Sequence, residues 1–233
     1  RTVSCYGPEK PRHPAWHDYY TDHGGDEGHP EIEEEIDVPQ LEWSRERIHA
    51  AIDAEAEALG GDYGRVAVGG ASQGACMALD AALTHAKGSE LGGVFSSCGQ
   101  IYSCTPVPSD RPRLRIWCFH GCADRVIGAG LALRTYSKLV DAGFTEVRVS
   151  MEPGLGHCEP SDAEAALLTD AIKRWGFLEF APLAEQPRTP LSAGKAKGDG
   201  ASSAEATSKP ADIGDAPVTP VASGKRRGRK SGG

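Results

Sequence analysis

"RVAVGGASQGACMALDAAL", residues 65–83, decides how this chain folds. The valine-rich run from Arg65 to Gly70 ends in two glycines and reads as a short buried strand. From Gln73 the small and aliphatic residues read as a helix. Between them, residues 70–74 spell G-x-S-x-G around Ser72. A serine raised on a sharp strand-to-helix turn needs small residues two positions to either side, because larger side chains there collide. Ala75 and Cys76 are small as well, as a helix packed close on a sheet requires. A Gly-rich turn with a purely structural job is the competing reading, and it stands until Ser72 is given partners.

Strand and helix alternate on both sides of this turn. "LGGVFSS" (Leu91 to Ser97), "LRIWCFH" (Leu114 to His120) and "TEVRVSM" (Thr145 to Met151) are three more short apolar strands. Leu41, Ile48, Ile52 and Leu59 fall close to one face of a helix that stops at Gly60 and Gly61. Residues 73–86 and 129–143 give two further helices. A last one is opened by Ser161 and Glu164 in capping-box spacing and runs to Trp175. Alternation of this kind implies the α/β class, with a mostly parallel sheet covered by helices on both faces. There is no internal repeat.

Ser72 finds its partners downstream. Asp124 lies in "HGCADRVI" after the third strand, and His157 lies in "PGLGHCEP" after the fourth. Serine, acid, histidine is the chain order of an α/β-hydrolase, and open parallel sheets place their sites at the carboxyl ends of the strands. Alone, Asp124 reads as a loop acid and His157 as a surface histidine. Together and in order they read as a triad with Ser72 as nucleophile. His157 would take the serine proton, Asp124 would hold the imidazole in its tautomer, and the Gln73 backbone N–H would donate to the oxyanion. His120, the rival base, precedes Asp124 at a strand end and reads as a structural residue ordering the Asp124 loop.

With "PAWHDY" (Pro14 to Tyr19), "GGASQGACMAL", "HGCADRVI" and "GLGHCEP" in this order, the chain resembles the phospholipase/carboxylesterase family that includes the acyl-protein thioesterases. The resemblance spans most of residues 1–176. It implies an α/β-hydrolase fold and a serine hydrolase acting on acyl esters or thioesters, with Ser72, Asp124 and His157 in the triad positions. Substrates in such proteins include S-acylated proteins, lysophospholipids and small carboxylic esters, and the chemistry needs no cofactor. Trp16 falls in the segment that lies near the acyl-binding site in relatives. A loop-packing tryptophan is the other reading of that residue.

The stretch "TDHGGDEGHPE" (Thr21 to Glu31) invites two further readings. It looks like the family's oxyanion loop with one residue missing. However, that loop should follow an early apolar strand and precede the "PAW" segment, which here comes first. A metal site from Asp22, His23, Asp26 and His29 lacks a scaffold to fix its geometry, so no metal is expected. The stretch is expected to be a solvated loop bordering the site. If the true oxyanion loop and first strands belong ahead of residue 1, this chain carries half an oxyanion hole. Losing one donor costs about 3 kcal/mol of transition-state stabilisation, so a weak hydrolase is the expectation.

Composition sets the outer limits. From Pro182 onward the sequence is Pro, Gly, Ser, Ala and Thr with almost no large aliphatic residue, too little to bury. Residues 1–181 are therefore expected to form the hydrolase domain and 182–233 a disordered tail ending in the basic run "KRRGRK". Of 25 basic and 33 acidic side chains, nine and five lie in the tail, which leaves the tail at +4 and the body at −12. An acidic body argues against nucleic-acid binding. Solvated disorder is the favoured reading of the tail, with a nuclear-localisation signal as its rival. The seven cysteines, such as Cys76 and Cys118, fall mostly in apparent strands and helices and form neither a disulfide framework nor a CxxC pair. A reducing, cytoplasmic setting follows. No apolar run is long enough to span a membrane. Neither GxGxxG nor GxxxxGK follows a strand, which argues against a nucleotide-binding domain. The alternative to an enzyme is a silent relative that binds acylated partners.

Overall fold

The computed structural model describes residues 2–3, 13–25 and 27–177, all within the compact unit Arg1–Ala184. The expected boundary after residue 181, the tail and Asp26 lie outside the described residues. Two short strands, β1 (Thr2–Val3) and β2 (His13–Pro14), pair with each other antiparallel. After them come α1 (Val38–Ala58), β3 (Ala67–Ala71), α2 (Gln73–Thr84), β4 (Gly93–Ser97), β5 (Ile116–Gly121), α3 (Ala129–Asp141), β6 (Val147–Glu152) and α4 (Asp162–Arg174). Strands β3 to β6 form one parallel sheet, as the alternation predicts, and they lie in it in sequential order.

Local chemistry explains the element ends. Asp37 caps α1 by accepting from the Gln40 N–H at 2.9 Å, and Pro39 occupies the first turn, where a missing N–H has no helical partner to lose. The helix stops at Gly60 and Gly61, whose φ values of 81° and 85° suit glycine. Ser161 caps α4 through the Glu164 N–H at 3.1 Å. Its own hydroxyl is donated to Glu152 at the end of β6, which ties the cap to the sheet. The first strand of the sheet begins two residues later than expected. Asp62 accepts from the Gly64 N–H at 3.0 Å and draws Tyr63–Arg65 into a 3₁₀ turn.

The strands read alternately to two layers. Val94, Ile116 and Cys118 meet Leu79 and Leu83 of α2 and Tyr136 and Leu139 of α3, with Ile52 and Ala56 of α1 behind. Phe95, Trp117 and Phe119 face the other way, against Leu167, Ala171 and Trp175 around α4. That is the period of two that a strand imposes. Gly93 has no choice of residue, since a Cβ there would lie 2.6 Å from the Trp175 ring.

One buried charge joins α1 to α2. Asp80, fully buried, accepts from Arg45 Nε at 2.7 Å and from its second guanidinium nitrogen at 2.9 Å, and Thr105 Oγ1 donates to it at 2.5 Å. Removing one partner of such a pair leaves an uncompensated charge in the core. Arg45→Met is expected to lower the unfolding free energy by about 3 kcal/mol, read from urea denaturation, and Arg45→Met with Asp80→Leu to recover part of that loss.

Candidate active site

Ser72 stands between β3 and α2 with φ 53° and ψ −125°, a backbone that residues with a Cβ rarely adopt. Its N–H donates to the Ser97 carbonyl at 2.9 Å, which ties the turn to the end of β4. The two glycines of the motif are not equivalent. A Cβ on Gly70 would lie 2.5 Å from the backbone of Gly74, whereas a Cβ on Gly74 would meet nothing nearer than Trp16 Nε1 at 3.7 Å. The tight crossing is therefore set by Gly70.

Asp124 and His157 come from adjacent loops at the same sheet edge. The loops are clamped together by the Ala123 N–H donating to the Leu155 carbonyl at 2.9 Å and the Cys122 N–H to the Glu152 carbonyl at 2.8 Å. A Cβ on Gly121 would strike Leu155 O at 2.4 Å, so the clamp depends on glycine there. Asp124 is buried and uses both oxygens. Oδ1 accepts from the Val126 and Ile127 N–H groups at 2.8 and 3.0 Å, and Oδ2 takes His157 Nδ1 at 2.7 Å. His157 Nε2 then lies 2.8 Å from Ser72 Oγ. With Asp124 ionised, Nδ1 carries the proton and Nε2 is left to accept from the serine hydroxyl.

Burial works against the charge on Asp124, but hydrogen bonds from His120 and His157 outweigh it and hold the carboxyl well below the usual carboxylate range. His120 is fully buried, with Nε2 2.8 Å from the Ile127 carbonyl and 3.3 Å from Asp124 Oδ2. Its desolvation would lower its pKa, yet the Asp124 and Ile127 bonds raise it above the ordinary value. The histidine thus braces the acid loop from beneath.

Gln73 contributes more than its backbone. Its side chain accepts from the Trp16 N–H at 2.8 Å and donates to the His17 carbonyl at 2.9 Å, which clips residues 16–17 to the turn. Beside Ser72 lies a cavity of about 220 Å³, bounded by Pro14, Ala15, Gln100, Val126 and Ile127. Trp16, 42% exposed, borders a neighbouring depression of about 300 Å³ that shares Pro14 and Ala15 with this cavity. The segment 21–31 is an exposed loop in its later part, as expected, with Gly25, Glu27, Gly28, His29 and Glu31 at the surface, but its first residues are held. Glu34 accepts from the Thr21 hydroxyl and from the His23 and Gly24 N–H groups at 2.6 to 2.9 Å, and Gly24 is buried against the Val126 carbonyl. The His23 and Gly24 N–H groups are thereby turned to Glu34.

Residues at this edge that the sequence reading passed over are Gln100 and two cysteines. Gln100 lines the cavity, and its Oε1 is buried without a hydrogen-bond partner among the described residues. It follows β4 by three residues, and position at the carboxyl end of a parallel strand is the signal that marks it. Cys98 and Cys158 sit in loops, unlike Cys76 in α2 and Cys118 in β5. A hydrogen bond from Cys158 pulls the Cys98 thiol down to about 5 and pushes the Cys158 thiol up in turn.

A parallel sheet with a serine on its first strand-to-helix turn, and an acid and a histidine on later loops of one edge, is the layout of the α/β-hydrolase fold. The chain belongs to the Phospholipase/Carboxylesterase family, whose model matches residues 5–170. It is 28% identical over 170 residues to acyl-protein thioesterase 1 of Neurospora crassa, a match covering 69% of this chain and 66%, just under two thirds, of that relative. It is also similar to the crystal structure of Arabidopsis thaliana SOBER1, with 26% identity, a TM-score of 0.56, and 70% and 74% of the two chains covered. Zea mays acyl-protein thioesterase 2 shares the fold at 19% identity, with a TM-score of 0.54 over 70% of this chain and 73% of its own.

Two outcomes follow from this geometry. Gly70→Ala is expected to displace the Ser72 turn and lower the melting temperature by several degrees, while Gly74→Ala keeps the fold, by differential scanning fluorimetry. Asp124, with its depressed folded pKa, contributes stability that is complete above the unfolded value of ~3.9 and drains away as pH falls toward the folded one. The urea midpoints of wild type and Asp124→Asn are therefore expected to differ at pH ~6 and to converge as the pH approaches ~2.

Proposed function

We propose that this chain is a serine hydrolase that cleaves acyl esters or thioesters, with Ser72 as nucleophile, His157 as general base and Asp124 as the group that orients its imidazole. The observation that carries the reading is the unbroken line of hydrogen bonds from Asp124 Oδ2 to His157 Nδ1 at 2.7 Å and from His157 Nε2 to Ser72 Oγ at 2.8 Å. In this mechanism Ser72 Oγ attacks the acyl carbonyl carbon as its proton passes to Nε2. The new oxyanion is met by the Gln73 N–H at the amino end of α2, where the helix dipole also favours negative charge. Collapse expels the alcohol or thiol, which takes the proton from Nε2. Water then attacks the acyl-serine by the same route in reverse, and the free acid leaves. Every proton is carried by His157, so the sequence closes with the residues present.

The cavity of about 220 Å³ suits the ester carbon and the first part of an acyl chain, and Pro14 and Ala15 lead from it toward Trp16. On this reading Trp16 borders the path of a longer chain, and Gln100 is free to bond the substrate. S-acylated proteins and lysophospholipids are the substrate classes proposed. The name of the Neurospora crassa relative favours the first. Residues 1–181 would carry this activity, with 182–233 as an appended tail. A cytoplasmic setting belongs to the same proposal and fits the free thiols of the six described cysteines. Among the described residues, no helix is long and apolar enough to cross a membrane.

The test is labelling of the purified chain with a fluorophosphonate, beside Ser72→Ala. Labelling of wild type alone, with ester hydrolysis at least ~10³-fold lower in Ser72→Ala, is the expected result. A folded wild-type chain that neither labels nor hydrolyses short and long acyl esters or thioesters would turn the reading to a silent binder of acylated partners.

A further inference from the structure

Among the described residues, three outside glycine hold a left-handed backbone: Ser72, Cys98 and Cys158, with φ of 53°, 50° and 51°. Backbone strain of this kind persists where the surroundings demand it, and it gathers at functional sites. Ser72 is explained by its turn. The cysteines, distant in sequence, meet beside the base. Cys98 Sγ, Cys158 Sγ and a ring nitrogen of His157 lie within 4.8 Å of one another. The three run from core to solvent, with Cys98 1% exposed, His157 half-buried and Cys158 exposed.

Two thiolates and an imidazole are the donors of a borderline-soft divalent ion, zinc before others. Zn–S bonds of ~2.3 Å and Zn–N bonds of ~2.0 Å in a tetrahedron place the donors about 3.5–3.8 Å apart, so the group needs to close by only about an ångström. For a metal on Nε2 the second layer is also in place, because Asp124 holds the imidazole through Nδ1 at 2.7 Å, the carboxylate–histidine pairing that metal-bound histidines use. Exposure of Cys158 gives the ion a way in.

We propose that Cys98, Cys158 and His157 form an inhibitory zinc site, in which Zn²⁺ binds both sulfurs and one imidazole nitrogen, with water in the fourth position. Binding releases to solvent any proton still on either sulfur, and the ring proton moves to the nitrogen that the metal leaves open; three metal–ligand bonds form with no change of oxidation state. Either imidazole nitrogen already has a task, Nδ1 toward Asp124 and Nε2 toward Ser72, so a metal on either one breaks the relay. The inhibitory half rests on the hydrolase reading, whereas the site itself does not.

The experiment uses the full chain, stripped of metal by a chelator and kept in a phosphine reductant. Zn²⁺ is titrated while ester hydrolysis is followed. Co²⁺ is titrated separately, because its thiolate charge-transfer absorption reports sulfur ligands without turnover. One equivalent of Zn²⁺ is expected to stop hydrolysis, and chelator to restore it. Cys158→Ser should fold and hydrolyse near the wild-type rate, require at least ~100-fold more Zn²⁺ for inhibition, and lose half of the Co²⁺ charge-transfer band. Cys104→Ser, which alters another exposed cysteine, should change neither. Equal zinc sensitivity in wild type and Cys158→Ser, or Co²⁺ binding without thiolate absorption, would overturn the proposal. So would inhibition that appears only without the reductant, which would mark a disulfide. A chain that hydrolyses nothing yet shows the two-thiolate Co²⁺ band keeps the metal site and fails the hydrolase reading alone.

Discussion

The backbone of Gly74 lies 2.5 Å from where a Cβ on Gly70 would sit, and the arrangement of the site follows from that crossing. It lets the chain pass from strand to helix within two residues, which leaves Ser72 strained and at the amino end of α2. It also lays α2 against β3 and β4, where the small side chains Ala75, Ala78 and Ala82 allow a close approach. Once β3 and α2 are so placed, the sequential parallel order of the sheet does the rest. Every later strand ends at the edge that carries Ser72, so each following loop opens beside it. Ser72, Cys98, Asp124 and His157 follow β3, β4, β5 and β6 in turn.

Placing loops at one edge does not by itself align a histidine to within hydrogen-bonding distance of two partners. That precision comes from Asp124. A buried carboxylate is costly unless its lone pairs are filled, and here two backbone N–H groups and two histidines fill them. The need to satisfy one charge therefore fixes the 124–127 turn, the His120 ring and the His157 ring together. Gly121 permits the two loops to lie close enough for this, because any side chain there would push the Leu155 carbonyl away. Electrostatics and packing thus impose the same geometry.

What the sequence disclosed follows from how local each signal is. The parallel sheet, the four long helices and the proposal of Ser72, Asp124 and His157 rest on short-range patterns: apolar runs, a five-residue motif and loops that follow strands. Strand starts were misjudged where a side chain captured a neighbouring backbone group, as Asp62 does ahead of β3. In the 21–31 segment the polar composition correctly signals exposure at Gly25, Glu27, Gly28, His29 and Glu31, but it hides that Glu34 gathers the Thr21, His23 and Gly24 donors and draws Gly24 against Val126. Gln100 was passed over although its place just after a strand end marked it, whereas the Cys98–Cys158 pair was invisible because its meaning lies in a contact between distant segments. A cysteine reading based on spacing along the chain cannot see two thiols joined by topology.

The strain at Cys158 and Cys98 falls at the same edge as the strain at Ser72. His157 and Cys158 lie together in a turn, and Cys158 takes a φ of 51° there. Cys98 takes a φ of 50° just after β4, and its sulfur lies within 4.8 Å of Cys158 Sγ and a ring nitrogen of His157. The clamp at Gly121 and the Asp124 carboxylate account for where the imidazole stands. The two strained cysteines are the part of this edge that those contacts leave unexplained. They converge on the one ring through which every proton transfer of the proposed hydrolysis must pass, which is where a bound ion has the greatest effect.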